Sequence, residues 1–163
     1  MSDLSKQKMP TPTPCIGICT TVFGDLVCRG CKRYMDEIIA WNSYGEDEKR
    51  AVDARLSSHL LQIIGNKLEL VDEQLLKDEL DNNRIRYMKN REPLCWVNDL
   101  LRTNVIEERP FEDFGLQVKP AFVELSVSQL RDQIDNELLT LSQAHHERYI
   151  NVQAVPADSK KPD

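Results

Sequence analysis

Apolar residues recur at helical spacing in five stretches of the chain. Over residues 33–42, Tyr34, Ile38 and Trp41 share a face with Met35 and Ile39 beside them, which predicts a helix that Ser43-Tyr44-Gly45 ends. Val52, Leu56, Leu60 and Ile63 mark a second helix from Glu46 to Ile64. Its acidic first turn (Glu46, Asp47, Glu48) suits a positive helix N-terminus, and Gly65-Asn66 is a stop. A third helical stretch spans Lys67–Asn90, with Val71, Leu75, Leu76 and Leu80 inward and charges outward, including Glu73 and Lys77 four residues apart. A fourth, Pro93–Thr103, carries Leu94, Val97, Leu100 and Leu101, with proline in its first turn. Residues 104–122, with Pro110, Gly115 and Pro120, read as an irregular connection. The last helix starts near Ser126 and runs to about Tyr149 on Leu130, Ile134, Leu138 and Leu141.

The N-terminal end follows another pattern. In residues 1–14, Pro10, Pro12 and Pro14 alternate with threonine, which favours extended backbone and predicts a flexible tail. Residues 20–27 place Gly24-Asp25 between Thr21-Val22-Phe23 and Leu26-Val27, the pattern of a tight hairpin. The predicted fold is mainly α. A four-cysteine knuckle and hairpin module with two helices (residues 15–65) leads into an all-α C-terminal region (66–150), and 151–163 form a polar, disordered tail. The boundary is placed near Gly65-Asn66.

Composition agrees with this. The 163 residues are 40% hydrophobic and 29% charged, with only six glycines. That balance favours helices over a turn-rich sandwich or barrel. The net charge is −6, yet residues 1–32 carry four Lys/Arg against two Asp/Glu. An acidic chain with so small a basic excess is a poor binder of phosphate backbones. The first 14 residues lack the apolar run of a secretory signal, and no stretch approaches a membrane span of ~18 apolar residues. The expected setting is a reducing cytoplasm, where clustered thiols point to metal or redox chemistry rather than structural disulfides.

Four of the five cysteines lie in the pattern Cys15-x3-Cys19-x8-Cys28-x2-Cys31. Two close pairs joined by a short connection suit tetrahedral thiolate coordination, each pair spanning two corners. Gly30 can take the twist that turns backbone N–H groups toward sulfur. Cys31 precedes a helix, and Arg29, Lys32 and Arg33 add positive charge beside the thiolates. A closed four-sulfur set without histidine reads as structural zinc. An iron–sulfur cluster also takes four thiolates, although the spacing matches neither the bacterial nor the plant ferredoxin run.

The residues Pro14-Cys15-Ile16-Gly17-Ile18-Cys19, Cys28-Arg29-Gly30-Cys31-Lys32-Arg33, Asp36-Glu37-Ile38, Trp41, Glu48-Lys49-Arg50-Ala51-Val52 and Arg55-Leu56 carry a resemblance. They are similar to a small bacterial cysteine-motif domain of unknown function, the YdhL-like proteins labelled predicted iron–sulfur proteins. The resemblance covers about residues 14–60. Tyr34 stands where many relatives have Thr or Ser. It implies an iron–sulfur cluster on Cys15, Cys19, Cys28 and Cys31, which puts zinc and iron–sulfur on equal terms, and it implies no reaction and no partner. Residues 61–163 resemble nothing recognised.

Other candidates read more simply as structure. Cys95 beside Trp96 is expected in the core, and a redox-active Cys28-x2-Cys31 pair lacks the βαβ setting such motifs use. His145 and His146 are adjacent on a helix and point about 100° apart, so they read as a solvated face, and His59 as a surface or boundary residue. Tyr34 and Trp41 are expected under the metal site as core. No phosphate-cradling loop, nucleophile elbow or zinc-protease helix is present. The function expected is that of a metal-binding interaction or adaptor module with a protein partner. An electron-transfer or redox-sensing iron–sulfur protein is the alternative, and no residues support an enzyme.

Overall fold

The computed structural model describes residues 10–154. The two predicted tails therefore fall largely outside the described residues. Five α-helices are present among those residues: α1 Met35–Ala40, α2 Glu46–Gly65, α3 Glu73–Asn82, α4 Pro93–Leu101 and α5 Val127–Ala154. Two short strands, β1 Leu68–Leu70 and β2 Leu116–Val118, pair antiparallel with Leu68 opposite Val118 and Leu70 opposite Leu116. The fold is mainly helical, as expected.

The core forms where α2, α4 and α5 meet. Leu60, Ile63 and Ile64 of α2 join Trp96, Val97, Leu100 and Leu101 of α4 and Leu130, Ile134 and Leu138 of α5 in one buried cluster. Leu76 and Leu80 of α3 close one side of it, and Phe114 and Leu116 enter from the long connection. A second, smaller cluster, Trp41, Val52 and Leu56, lies under the cysteine segment. Helix α2 thus belongs to both clusters, its first half to the small one and its last turns to the large one.

The helix ends follow from local chemistry. Ser126 and Gln129 cap α5 reciprocally: the Gln129 N–H donates to Ser126 Oγ and the Ser126 N–H to Gln129 Oε1. Asp72 Oδ1 accepts the N–H of Leu75 at the start of α3. Pro93 opens α4 where no intrahelical donor is needed.

Three local expectations are corrected. The 20–27 segment is not a hairpin. Thr20–Phe23 form a 3₁₀ turn that Gly24 ends in the left-handed region (φ 96°), and Val27 instead pairs with Tyr34 beyond the cysteine turn. The first helix begins at Met35, because Arg33 and Tyr34 are held extended. Cys28 donates to the Arg33 carbonyl and Met35 to that of Leu26. The stretch 67–90 is not one helix: Leu68 and Leu70 turn inward around exposed Glu69, the period-two pattern of a strand. Its helix ends at Asn82, with Arg84 at φ 55° two residues on.

Candidate metal centre

Each cysteine pair sits in a turn that presents backbone N–H groups to sulfur. Gly17, at φ 89°, donates its N–H to Cys15 Sγ at 3.4 Å. The Cys28–Arg33 turn is closed by Lys32 N–H to the Cys28 carbonyl (2.8 Å) and by Cys28 N–H to the Arg33 carbonyl (2.9 Å). Burial pushes the Cys28 thiol up, but the backbone amides of Cys31, Thr20 and Gly30, with the Cys31 thiol, outweigh it and bring it down to about 7. Burial pushes the Cys31 thiol up against the opposing Arg33, whose Nε lies 3.2 Å from Cys31 Sγ.

The two turns pack against each other through Gly30. A Cβ there would lie 2.4 Å from the Ile18 carbonyl oxygen, closer than any side chain tolerates, so glycine permits the approach. Cys28 Sγ lies 3.4 Å from that same carbonyl. Cys19 Sγ is 3.0 Å from Thr21 Oγ1. Cys28 and Cys31 are thus neighbours, and Cys15 is exposed at one edge. Among the described residues, no three cysteine, histidine or carboxylate side chains close on a point that would hold a metal ion. The donor set still fits a thiolate centre, with four free thiols on two turns in contact and N–H groups directed at sulfur.

Of the basic residues around the cysteines, Lys32 and Arg33 face inward, while Arg29 stays exposed. Lys32 is in the left-handed region (φ 67°), which a lysine adopts at a cost, and its side chain is 7% exposed. Its Nζ donates to the Arg29 and Gly30 carbonyls and to Asp135 Oδ1 on α5, the last at 2.6 Å. One ammonium therefore clamps the cysteine turn and ties it to the longest helix. Arg33 lies over the Trp41 ring at 4.8 Å, and Arg29 pairs with Asp25. These three cations are engaged within the molecule rather than arrayed for phosphates. Cys31 does not sit at a free helix N-terminus either: the Glu37 carboxylate takes the Tyr34 N–H at 2.9 Å and receives both Arg55 guanidinium nitrogens at 2.6 and 2.7 Å.

Tyr34 and Trp41 are buried, as expected. Two histidine expectations are corrected. His146 is buried against Tyr34 (ring centroids 4.7 Å apart) and His59 is buried against His145 (4.6 Å). The adjacent pair on α5 indeed points to different neighbours, but neither partner contact is with solvent, because the cysteine segment and α2 cover that face. Burial, with His145 and Arg55 nearby, lowers His59 to about 4, so its ring is neutral. Cys95 is buried and its thiol is pushed up to about 12, chiefly by burial.

A cleft of about 580 Å³ opens between the cysteine turns and the helical body, bordered by Cys15, Cys31 and Lys32 on one side and by α2, α4 and α5 on the other. Sequence reasoning did not find it, since its walls come from segments more than a hundred residues apart. The Glu37–Arg55 pair was also missed, although both residues stand within the quoted motif.

Residues 13–59 match the family model described as "Protein of unknown function (DUF1289)". The segment is similar to that family. The match spans all four clustered cysteines, the Glu37–Arg55 pair and α2 up to His59, and it agrees with the resemblance read from the motif. No curated protein and no solved structure matches the chain. Among the described residues, no helix is long and apolar enough to cross a membrane.

Proposed function

We propose that Cys15, Cys19, Cys28 and Cys31 together bind one metal centre, a zinc ion or an iron–sulfur cluster, and that this centre holds an interaction module onto a helical protein. The observation that supports the reading is the close approach of the two cysteine turns at Gly30, with the Gly17 N–H on Cys15 Sγ and Cys28 Sγ 3.4 Å from the Ile18 carbonyl. A structural role is supported by the thin core beneath, the cluster of Trp41, Val52 and Leu56 with half-buried Tyr44, beside buried Val27 and Tyr34. A segment with so little apolar burial gains from a metal that contributes folding free energy directly. A protein partner is supported by apolar side chains the module leaves in solvent: Phe23 is 86% exposed and Ile39 77%.

The exposure of Cys15 favours a second role for the same residues. A cluster with one ligand near solvent is placed for electron transfer or redox sensing, chemistry that the cluster itself would supply. Anaerobic purification of the full chain, with a visible spectrum and metal analysis, separates the two. A brown protein with iron and acid-labile sulfide identifies the cluster, and a colourless protein with one zinc per chain identifies the structural ion. A folded protein with neither, after reconstitution with each, overturns the reading.

A further inference from the structure

An open groove of about 470 Å³ runs from the cysteine segment onto the helical body, lined by Ile16, Ile18, Ile85, Arg86, Arg102 and Arg131. Four parts of the chain build it. Ile16 and Ile18 flank Gly17 between Cys15 and Cys19, Ile85 and Arg86 follow α3, Arg102 ends α4, and Arg131 stands on α5. Ile18 is 60% exposed and Ile16 38%. A single apolar side chain in water is ordinary, but these two share one groove with half-buried Ile85 and three guanidinium groups.

The groove is positive. Among the described residues one acid lines it, Asp99, which is buried and accepts from the Arg102 guanidinium and the Met88 N–H. Arg131 donates to the Leu101 carbonyl and Ser128 Oγ, and Asp132 of the neighbouring cleft lies 3.9 Å from its Nε. A guanidinium carries more N–H donors than these bonds use. Arg86 is exposed and makes no ion pair or hydrogen bond among the described residues. Three arginines against one aspartate leave a net +2 here, on a chain whose net charge is −6.

Cations set among isoleucines complement a surface that is acidic and apolar at once. Guanidinium groups pair bidentately with carboxylates and are enriched where proteins meet. A nucleic acid is the poorer occupant: single strands stack on aromatic side chains, and none lines the groove. The ends of this chain do not carry the needed charge, since residues 1–9 hold two lysines and one aspartate, and residues 155–163 two lysines and two aspartates. We propose that the groove docks an acidic, apolar segment of a partner protein, its carboxylates on Arg86, Arg102 and Arg131 and its apolar side chains on Ile16, Ile18 and Ile85. This names the chemistry of the protein partner inferred above and rests on that reading, though not on which metal the cysteines hold.

The test is fluorescence anisotropy of a short labelled peptide alternating leucine and glutamate, titrated with the full-length protein, with metal content recorded on the same sample. Saturable binding that weakens as salt rises is expected. Peptides with lysine for glutamate, or serine for leucine, should bind at least about tenfold more weakly, a difference of ~1.4 kcal/mol. Arg86→Glu and Ile18→Ser, both at exposed side chains, should each cost about tenfold, whereas Arg148→Glu, exposed on α5 outside the groove, should change nothing. Absence of metal from the folded protein removes the metal centre and leaves the groove to be judged on binding alone. No saturable binding by the folded, metal-loaded protein overturns the groove and leaves the metal centre standing. Binding lost in Phe23→Ser but kept in Arg86→Glu places the partner on another apolar edge and overturns it too. So does tighter binding of a single-stranded oligonucleotide than of the peptide, or self-association that Arg86→Glu breaks in a protein that ignores the peptide.

Discussion

In the helical body the fully shielded side chains are Phe114, Ile64, Leu76, Leu80, Leu100 and Ile134, each among other apolar groups. In the cysteine module, Lys32, Arg33 and Glu37 are buried too, beside only a handful of apolar residues. The body is held by area: α2, α4 and α5 bring long apolar faces together, at about 25 cal/mol per Å² removed from water. The module is held by direction, through turns closed by hydrogen bonds, an ammonium shared by three acceptors, and a bidentate carboxylate–guanidinium pair. Directional interactions net little against water unless every group is satisfied. A short segment built on them is therefore the part expected to depend on a metal.

The sharpest way to break this comparison is to remove the proposed metal. Chelation, or Cys31→Ser, is expected to abolish binding worth ~10–16 kcal/mol in small zinc sites and to unfold residues 15–45. The helices of the body should keep their hydrogen-exchange protection. Unchanged metal content and unchanged protection in Cys31→Ser would show that the module stands without the centre.

The reverse experiment is Phe114→Ala. Loss of a fully buried ring should cost about 3–5 kcal/mol. Denaturant unfolding should shift as a whole, while metal stoichiometry of the folded protein stays constant. A loss of metal at concentrations where the body remains folded would join the two regions more tightly than their separate clusters suggest.

Glu37→Ala probes the directional part alone. It leaves Arg55 without its bidentate partner over the Tyr34 ring, where its guanidinium carbon is 3.9 Å from the centroid. A cost of roughly 2–4 kcal/mol is expected, read as faster amide exchange in α1 and at Tyr34 but not in α4. Equal loss of protection in both helices would contradict a local role.

Smaller effects follow from the cleft and the fifth cysteine. His59 titrates at about 4 when folded against an ordinary 6.5. Between those values the unfolded chain holds a proton that the folded one lacks, so stability falls as pH drops from 6.5 toward 4. Buried Asp99, whose carboxyl is held up by desolvation, acts with the opposite sign. The comparison is therefore between the native chain and His59→Gln, whose stability should fall less over that window; parallel curves would remove His59 from the account. Cys95→Ala is expected to cost about 1 kcal/mol and to leave metal content unchanged, because its thiol, pushed up to about 12, belongs to the core.

Much of this was legible in the chain. Helices α2, α4 and α5 lie within a few residues of their expected bounds, since each repeats its apolar positions over several turns and carries a start or stop residue. The motif containing the four cysteines was readable too, because residue spacing is a local property. The strand at Leu68–Leu70 was not: its partner Leu116–Val118 lies some fifty residues on, and three residues of alternation are too few to overrule a neighbouring helical pattern. Nor was the inward turn of Lys32, whose acceptor Asp135 is 103 residues away.

The sequence by itself determined where α2, α4 and α5 run, that Cys95 belongs with core residues, and that four of the five cysteines share one short stretch, 15–31. These rest on periodicity, composition and short spacing, which act within a turn or two of chain. Only the tertiary structure decided that His59 and His146 are buried, that Lys32 and Arg33 of the cysteine turn point inward, and that Ser142 and Arg86 border one cleft with Cys15 and Cys31. Those facts depend on which surfaces α2 and α5 lay against the module, and desolvation and pairing between distant residues leave no mark on the order of residues within either segment.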